Sequence, residues 1–204
     1  FSEVALDHVH RHLPLLPRPE IVELEQRRAD QLEDLEPGAF DAVVLNSVVQ
    51  YFPNADYLLR VVDGAIGAVG PGGAVFLGDL RNLPQLEAFH TGIERVQAGP
   101  ELPTSELRRR VRRRLAREEE LALDPAFFFA LAARDRRIER VLVAPKRGRA
   151  EHEMNRYRFD AVLFVGDGSG SAAALDAAAG PEPLDWRRDA GDLAGLRALL
   201  ERGR

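Results

Sequence analysis

His90 is the side chain best suited to move a proton, because an unperturbed imidazole titrates near neutrality. It lies in Leu86-Glu87-Ala88-Phe89-His90, in the segment that follows a strand ending at Asp79. A lone histidine on a helix is more often structural, so its neighbours decide its role. Gln50 and Tyr51 offer oxygen acceptors just beyond another apolar strand, Phe40 to Leu45, although Tyr51 and Phe52 could simply pack beneath a loop. Asn46 and Ser47 stand at the carboxyl end of that strand, where ligands bind in open α/β sheets. An Asn there also serves as a turn residue that satisfies local backbone groups. Asp30 and Gln31 occupy a charged loop, Arg27 to Glu36. Glu118 and Glu120 form a Glu-x-Glu ahead of Leu121, next to arginines that could pair with them locally. Glu153, Tyr157 and Arg158 precede the last apolar strand and could serve only to hold it. The five histidines (His8, His10, His12, His90 and His152) form no metal-ligand set. His8, His10 and His12 alternate, so the three do not share one helix face. No metal is expected.

The elements that must position these residues alternate between helix and strand, the pattern of an α/β domain with a mainly parallel sheet. Ser2 caps a first helix with Ala5, Val9 and Leu13 on one face, ending near Pro14 and Pro17. Ile21 to Glu25 reads as a short strand. The near-continuous apolar run Phe40 to Leu45 is expected where both sheet faces are covered. A helix from Asp56 to Val69 turns Leu58, Val62, Ile66 and Val69 inward, and Gly70 to Gly73 predicts a tight turn into the strand Ala74 to Asp79. Leu83 to Arg137 reads as helical throughout, broken at Gly99-Pro100 and Pro103, with Asp124-Pro125 as a strong helix start. Strands Ile138 to Val143 and Tyr157 to Val165 should pair as an antiparallel hairpin. Gly166 to Pro183 reads as a linker, and Leu193 to Leu200 as a last short helix.

With 204 residues, the chain is long enough for one well-cored domain and a tail. Apolar residues make up 45% and charged residues 30%, a globular balance. A net charge of −5 gives no overall attraction to nucleic acid or anionic membranes, and no apolar run approaches the roughly 20 residues of a membrane span. The absence of Cys excludes disulfides and thiolate chemistry and fits the cytoplasm. A chain that opens on Phe1, with neither an initiating Met nor a signal pattern, is expected to be a piece of something longer.

Three ordered stretches carry a resemblance. They are Phe40 to Pro53 (FDAVVLNSVVQYFP), Pro71-Gly72-Gly73 leading into Phe76 to Arg81 (FLGDLR), and Glu153 to Val162 (EMNRYRFDAV). Together they resemble the methyltransferase domains inserted into adenylation domains of nonribosomal peptide synthetases. The third is similar to that family's Asn-Glu-Leu-Ser-x-Tyr-Arg-Tyr-x-Ala-Val motif, with His152 for Asn, Met154 for Leu, Asn155 for Ser and Phe159 for the second Tyr. The resemblance implies a Rossmann-like class I methyltransferase sheet over residues 1–165, mainly parallel with a C-terminal antiparallel hairpin. Its first strand, Gly-rich loop and ribose-binding acid would lie upstream of Phe1. Residues 166–204 would be a linker and the return into the adenylation domain.

By the same resemblance, a methyl group passes from S-adenosylmethionine to the α-amino nitrogen of an aminoacyl thioester on a carrier domain. Asp30 would accept from the adenine amino group with Gln31 beside it, and Asn46 and Ser47 would lie on the cofactor side. Gln50 and Tyr51 would orient the amine and His90 would take its proton. Glu118, Glu120, Glu153, Tyr157 and Arg158 would face the substrate. Partners implied are the adenylation and phosphopantetheinyl carrier domains, with an MbtH-like protein acting at the adenylation domain. The alternatives are a non-catalytic structural insert, a fragment inactive by itself, or methylation at carbon or oxygen.

Two features imitate other functions. Gly166-Asp167-Gly168-Ser169-Gly170 looks like a cofactor loop but follows the last strand of the fold, so the linker reading is preferred. The seven arginines between Arg108 and Arg117 could form a nucleic-acid or phosphate surface. Leu107, Val111 and Leu115 recur at helical spacing, however, which favours an amphipathic helix with a solvated basic face; contact with a carrier's phosphopantetheine phosphate is the alternative.

Overall fold

The computed structural model describes residues 2–98, 101–146, 148, 152–168, 192, 194, 195, 197 and 198. Most of the expected linker and last helix lies outside them. Ser2 accepts from the Ala5 amide and starts α1 (Glu3–His12), which passes into a 3-10 turn at Leu13–Leu15 where proline removes a donor. The rings of His8 and His12, one turn apart, lie 4.3 Å from each other.

The sheet is built from β1 (Phe40–Asn46), β2 (Val69–Asn82), β3 (Ala122–Leu123), β4 (Ile138–Pro145) and β5 (Arg158–Val165). Its order is β1-β2-β5-β4, with β3 beside the end of β2. β1 and β3 run parallel to β2, whereas β5 is antiparallel to both β2 and β4. The expected hairpin is therefore present, in a mixed α/β sheet that is parallel among β1, β2 and β3 and antiparallel at β5.

Helix α2 (Ala55–Ala68) begins at Asn54, whose side chain accepts from the Tyr57 amide. Its inward stripe buries Leu58, Val62 and Ile66 as the spacing predicts, each contributing about 1.5–3 kcal/mol. That stripe meets Val75, Leu77 and Leu80 of β2 and the alternating Phe159, Ala161, Leu163 and Val165 of β5. Phe128 of α5 (Ala126–Ala132) closes the core; α5 is started by Asp124, which accepts from the Ala126 amide.

Four expectations change. Ile21–Glu25 forms no strand: Pro19–Ile21 is a 3-10 turn, and no described strand lies alongside the rest to complete a ladder. β1 is covered on one face only; Val43 and Leu45 pack on the core, whereas Val44 is 64% exposed. Gly70–Gly73 does not precede the strand but lies within β2, as an irregularity in its pairing with β1. A Cβ on Gly73 would stand 2.4 Å from the Asp41 carbonyl oxygen, so the close approach of the two strands there needs glycine. Finally, α3 (Leu86–Ala98) and α4 (Thr104–Leu115) are helical as expected, but residues 118–124 are not. They leave the helical path because their backbone satisfies the end of β2, through β3, and the Gln50 carbonyl, through the Leu121 amide at 2.9 Å. No helix among the described residues is long and apolar enough to cross a membrane.

Candidate active site

The carboxyl ends of β1 and β2 meet in two left-handed residues, Ser47 (φ 58°) and Asp79 (φ 65°). Each costs on the order of 1–3 kcal/mol and persists only where its surroundings hold it. The Ser47 amide donates to the Gly78 carbonyl at 3.1 Å, and its hydroxyl donates to Asp79 Oδ2 at 3.0 Å while accepting from Asn46 Nδ2 at 3.2 Å. The Asp79 amide donates to Asp160 at 2.8 Å. A side chain on Gly78 would meet Asn46 Oδ1 at 2.2 Å and the Phe76 ring at 2.5 Å, so Asn46 packs over the strand end where glycine leaves room. The Asp79 side chain is buried. Arg158 donates to its Oδ2 at 2.6 Å, and Lys146 lies 3.6 Å from Oδ1 and 3.3 Å from Asp160.

Gln50 is 4% exposed. Its Nε2 donates to the Ser47 carbonyl at 3.2 Å, which leaves Oε1 buried without a hydrogen-bond partner among the described residues. Tyr51 differs from its neighbour: it is 73% exposed and does not pack beneath the loop. Phe52 does so instead, edge-on to Tyr57 at 4.9 Å.

His90 is buried on α3, with Nε2 3.0 Å from Glu118 Oε2. An ionised carboxylate only accepts, so Nε2 carries the proton and Nδ1 is the basic nitrogen of the neutral ring. Nδ1 is buried with no partner among the described residues. Arg81, at the end of β2, donates to Glu118 at 2.8 Å and to Glu120 at 2.5 Å. Glu118 and Glu120 therefore join His90 across the fold instead of pairing with adjacent arginines. Because Leu121 donates to Gln50, the segment 118–121 ties the His90 cluster to the loop after β1.

The remaining expected residues lie at the rim. Tyr157 packs edge-on to Phe89, beside His90, at 5.5 Å. Glu153 opens the short helix α6 (Glu153–Arg156) and shares a shallow recess with Tyr157, Arg158 and Arg81. Asp30 Oδ1 accepts from the Tyr57 hydroxyl at 3.0 Å and lies 3.2 Å from Arg28 Nε. Burial, followed by this bond to Asp30, raises the Tyr57 pKa. Gln31 Oε1 accepts from the Arg28 amide at 3.0 Å. Sequence reasoning missed Asp79, Lys146 and Asp160 as site residues; the readable signal was Gly78-Asp79 closing a buried strand.

No protein-family model matches the chain. It is 40% identical over 93% of its length to a segment of chondramide synthase from Chondromyces crocatus, and 35% identical over 91% to a segment of beauvericin nonribosomal cyclodepsipeptide synthetase from Beauveria bassiana. Over that stretch the chain is similar to segments of nonribosomal peptide synthetases, and it spans 5% and 6% of the length of these two. The sheet also superposes on a possible exported protein from Bordetella parapertussis, with TM-score 0.55, 14% identity, and coverage of 81% of this chain and 51% of that one. That likeness concerns the fold alone.

Proposed function

We propose that the domain transfers a methyl group from S-adenosylmethionine to the α-amino nitrogen of an aminoacyl thioester held on a carrier domain. The observation that supports this most is the buried His90, held by Glu118 in the tautomer that leaves Nδ1 free. An α-ammonium must lose a proton before its nitrogen can attack, and an imidazole fixed on one side by a carboxylate is suited to take it. Arg81 holds the Glu118 carboxylate in position, donating to it at 2.8 Å. Gln50 Oε1, buried and unpaired among the described residues, is an acceptor suited to orienting the amine N–H, with Tyr51 beside it at the surface.

The residues expected on the cofactor side fit such a ligand. Asn46 is exposed at a strand end, and Asp30 Oδ2 has only long contacts, 3.5 Å to Arg28 and 4.0 Å to Arg60, so it can accept from an adenine amino group with Gln31 alongside. When bound, S-adenosylmethionine supplies an electrophilic methyl on a sulfonium. Ser47 and Asp79 fix the strand ends that carry the cofactor side, and Glu120, Glu153, Tyr157 and Arg158 line the substrate side. In this reading the adenylation and carrier domains belong to the same cytoplasmic synthetase, and an MbtH-like protein acts at the adenylation domain.

The test is incubation of the parent synthetase with 13C-methyl S-adenosylmethionine and its loaded carrier, followed by mass spectrometry of the released amino acid. Label on nitrogen is expected. Label on carbon or oxygen, or none, would overturn the reading.

A further inference from the structure

Helices α3 and α4 flank an open groove of about 660 Å3 with His90 on one wall. Its acidic residues are already engaged: Glu94 with Arg114, Glu106 with Arg109 and Arg110, and Glu118 with Arg81 and His90. Arg113 and Arg117 also line it, both exposed, and no side-chain partner for either is found among the described residues. The amphipathic reading of α4 accounts for the other side of the helix, since Val111 is buried and Leu107 and Leu115 are half-buried. Its solvated basic face leaves Arg113 unpaired, and Arg113 and Arg117 share one groove with His90.

A guanidinium presents a planar fork that matches phosphate oxygens, and two of them, one on the last turn of α4 and one just past its end, can embrace one phosphate group. His90 lines the same space as this cationic pair.

We infer that Arg113 and Arg117 bind the phosphodiester of the substrate's tether, so that the groove between α3 and α4 guides a phosphopantetheinyl arm toward His90. This rests on the function proposed above, in which the aminoacyl group arrives as a carrier-bound thioester. The shared chemistry is a phosphate group, supplied either by the tether or by free phosphate.

The two sources separate in a calorimetric titration of the full chain with 4′-phosphopantetheine, pantetheine and inorganic phosphate at one ionic strength. Phosphopantetheine should bind at least about tenfold more tightly than either other ligand, and a variant with both Arg113→Gln and Arg117→Gln should lose that margin. Arg113→Lys with Arg117→Lys should keep part of it, which separates charge from loss of fold. Equal affinity for phosphopantetheine and pantetheine, or a margin that survives the double variant, would overturn the inference. So would inorganic phosphate binding as tightly as phosphopantetheine. Methyl transfer is read separately, on an aminoacyl N-acetylcysteamine thioester that has no phosphate. Failure there counts against the proposed function, whereas the binding margin still reports on the groove.

Discussion

The domain holds two charged clusters that look alike in composition and differ in what surrounds the atom each leaves without a hydrogen bond. Around Asp79, the hydroxyl of Ser47 and the guanidinium of Arg158 donate to Oδ2 and Asp160 accepts from the backbone amide, while Oδ1, without a hydrogen-bond partner among the described residues, lies 3.6 Å from the Lys146 ammonium. Around His90, Glu118, itself held by Arg81, fastens Nε2, and Nδ1 is buried without a partner among the described residues. The first cluster sets its open oxygen beside an opposite charge and holds two left-handed residues. The second uses the same types of group to orient one unengaged base. The lesson is that an unpaired buried atom points to function where no opposite charge offsets it, not according to how many partners its residue has.

Removing one partner from each cluster tests that contrast. Asp79→Ala should cost the most stability, about 3 kcal/mol by chemical denaturation, since the partly buried Arg158 would lose its carboxylate and Lys146 would keep only Asp160. His90→Ala should cost less, about 1–2 kcal/mol for the lost buried ring and its bond, while lowering kcat about 100-fold or more. If His90→Ala destabilised the domain as much as Asp79→Ala, the two clusters would be alike and the contrast would fail. Glu118→Gln should lower kcat about tenfold, because the amide still reaches His90 but no longer selects its tautomer.

The smallest effect belongs to a purely structural pair. Arg137 holds the Asp135 carboxyl below its ordinary range and also reaches Asp63 on α2. A lowered pKa in the folded state means that this contribution is full above the ordinary Asp value and is lost as pH falls through the lowered one. Asp135→Asn should therefore cost about 1 kcal/mol or less at neutral pH, because the pair is partly solvated, and should flatten the acid side of the stability–pH curve.

The layers of the fold were legible because α2 and β5 write their periods plainly: Leu58, Val62 and Ile66 recur at helical spacing, and Phe159 to Val165 alternate in and out. Ile21 to Glu25 was misread because five apolar and acidic residues satisfy strand propensity but cannot supply a ladder partner. In the site, His90 and Gln50 were legible as residue types, and the structure brings the segments that carry them together. Their linkage through Glu118 and Leu121 was not, because residues 118–124 follow a helical run and leave it only to satisfy β2 and Gln50. Asp79 was hidden for a related reason. An acid closing an apolar strand reads as a strand terminator, and only the positive φ and the distant Arg158 and Lys146 reveal it as the anchor.

The central claim is that His90 takes the proton of the reacting amine. It is tested most directly by the pH dependence of kcat for the parent synthetase with wild-type His90 and with His90→Asn. The wild type should lose activity toward acid through a single ionisation that His90→Asn lacks. An acid limb of the same position and steepness in both proteins would contradict it.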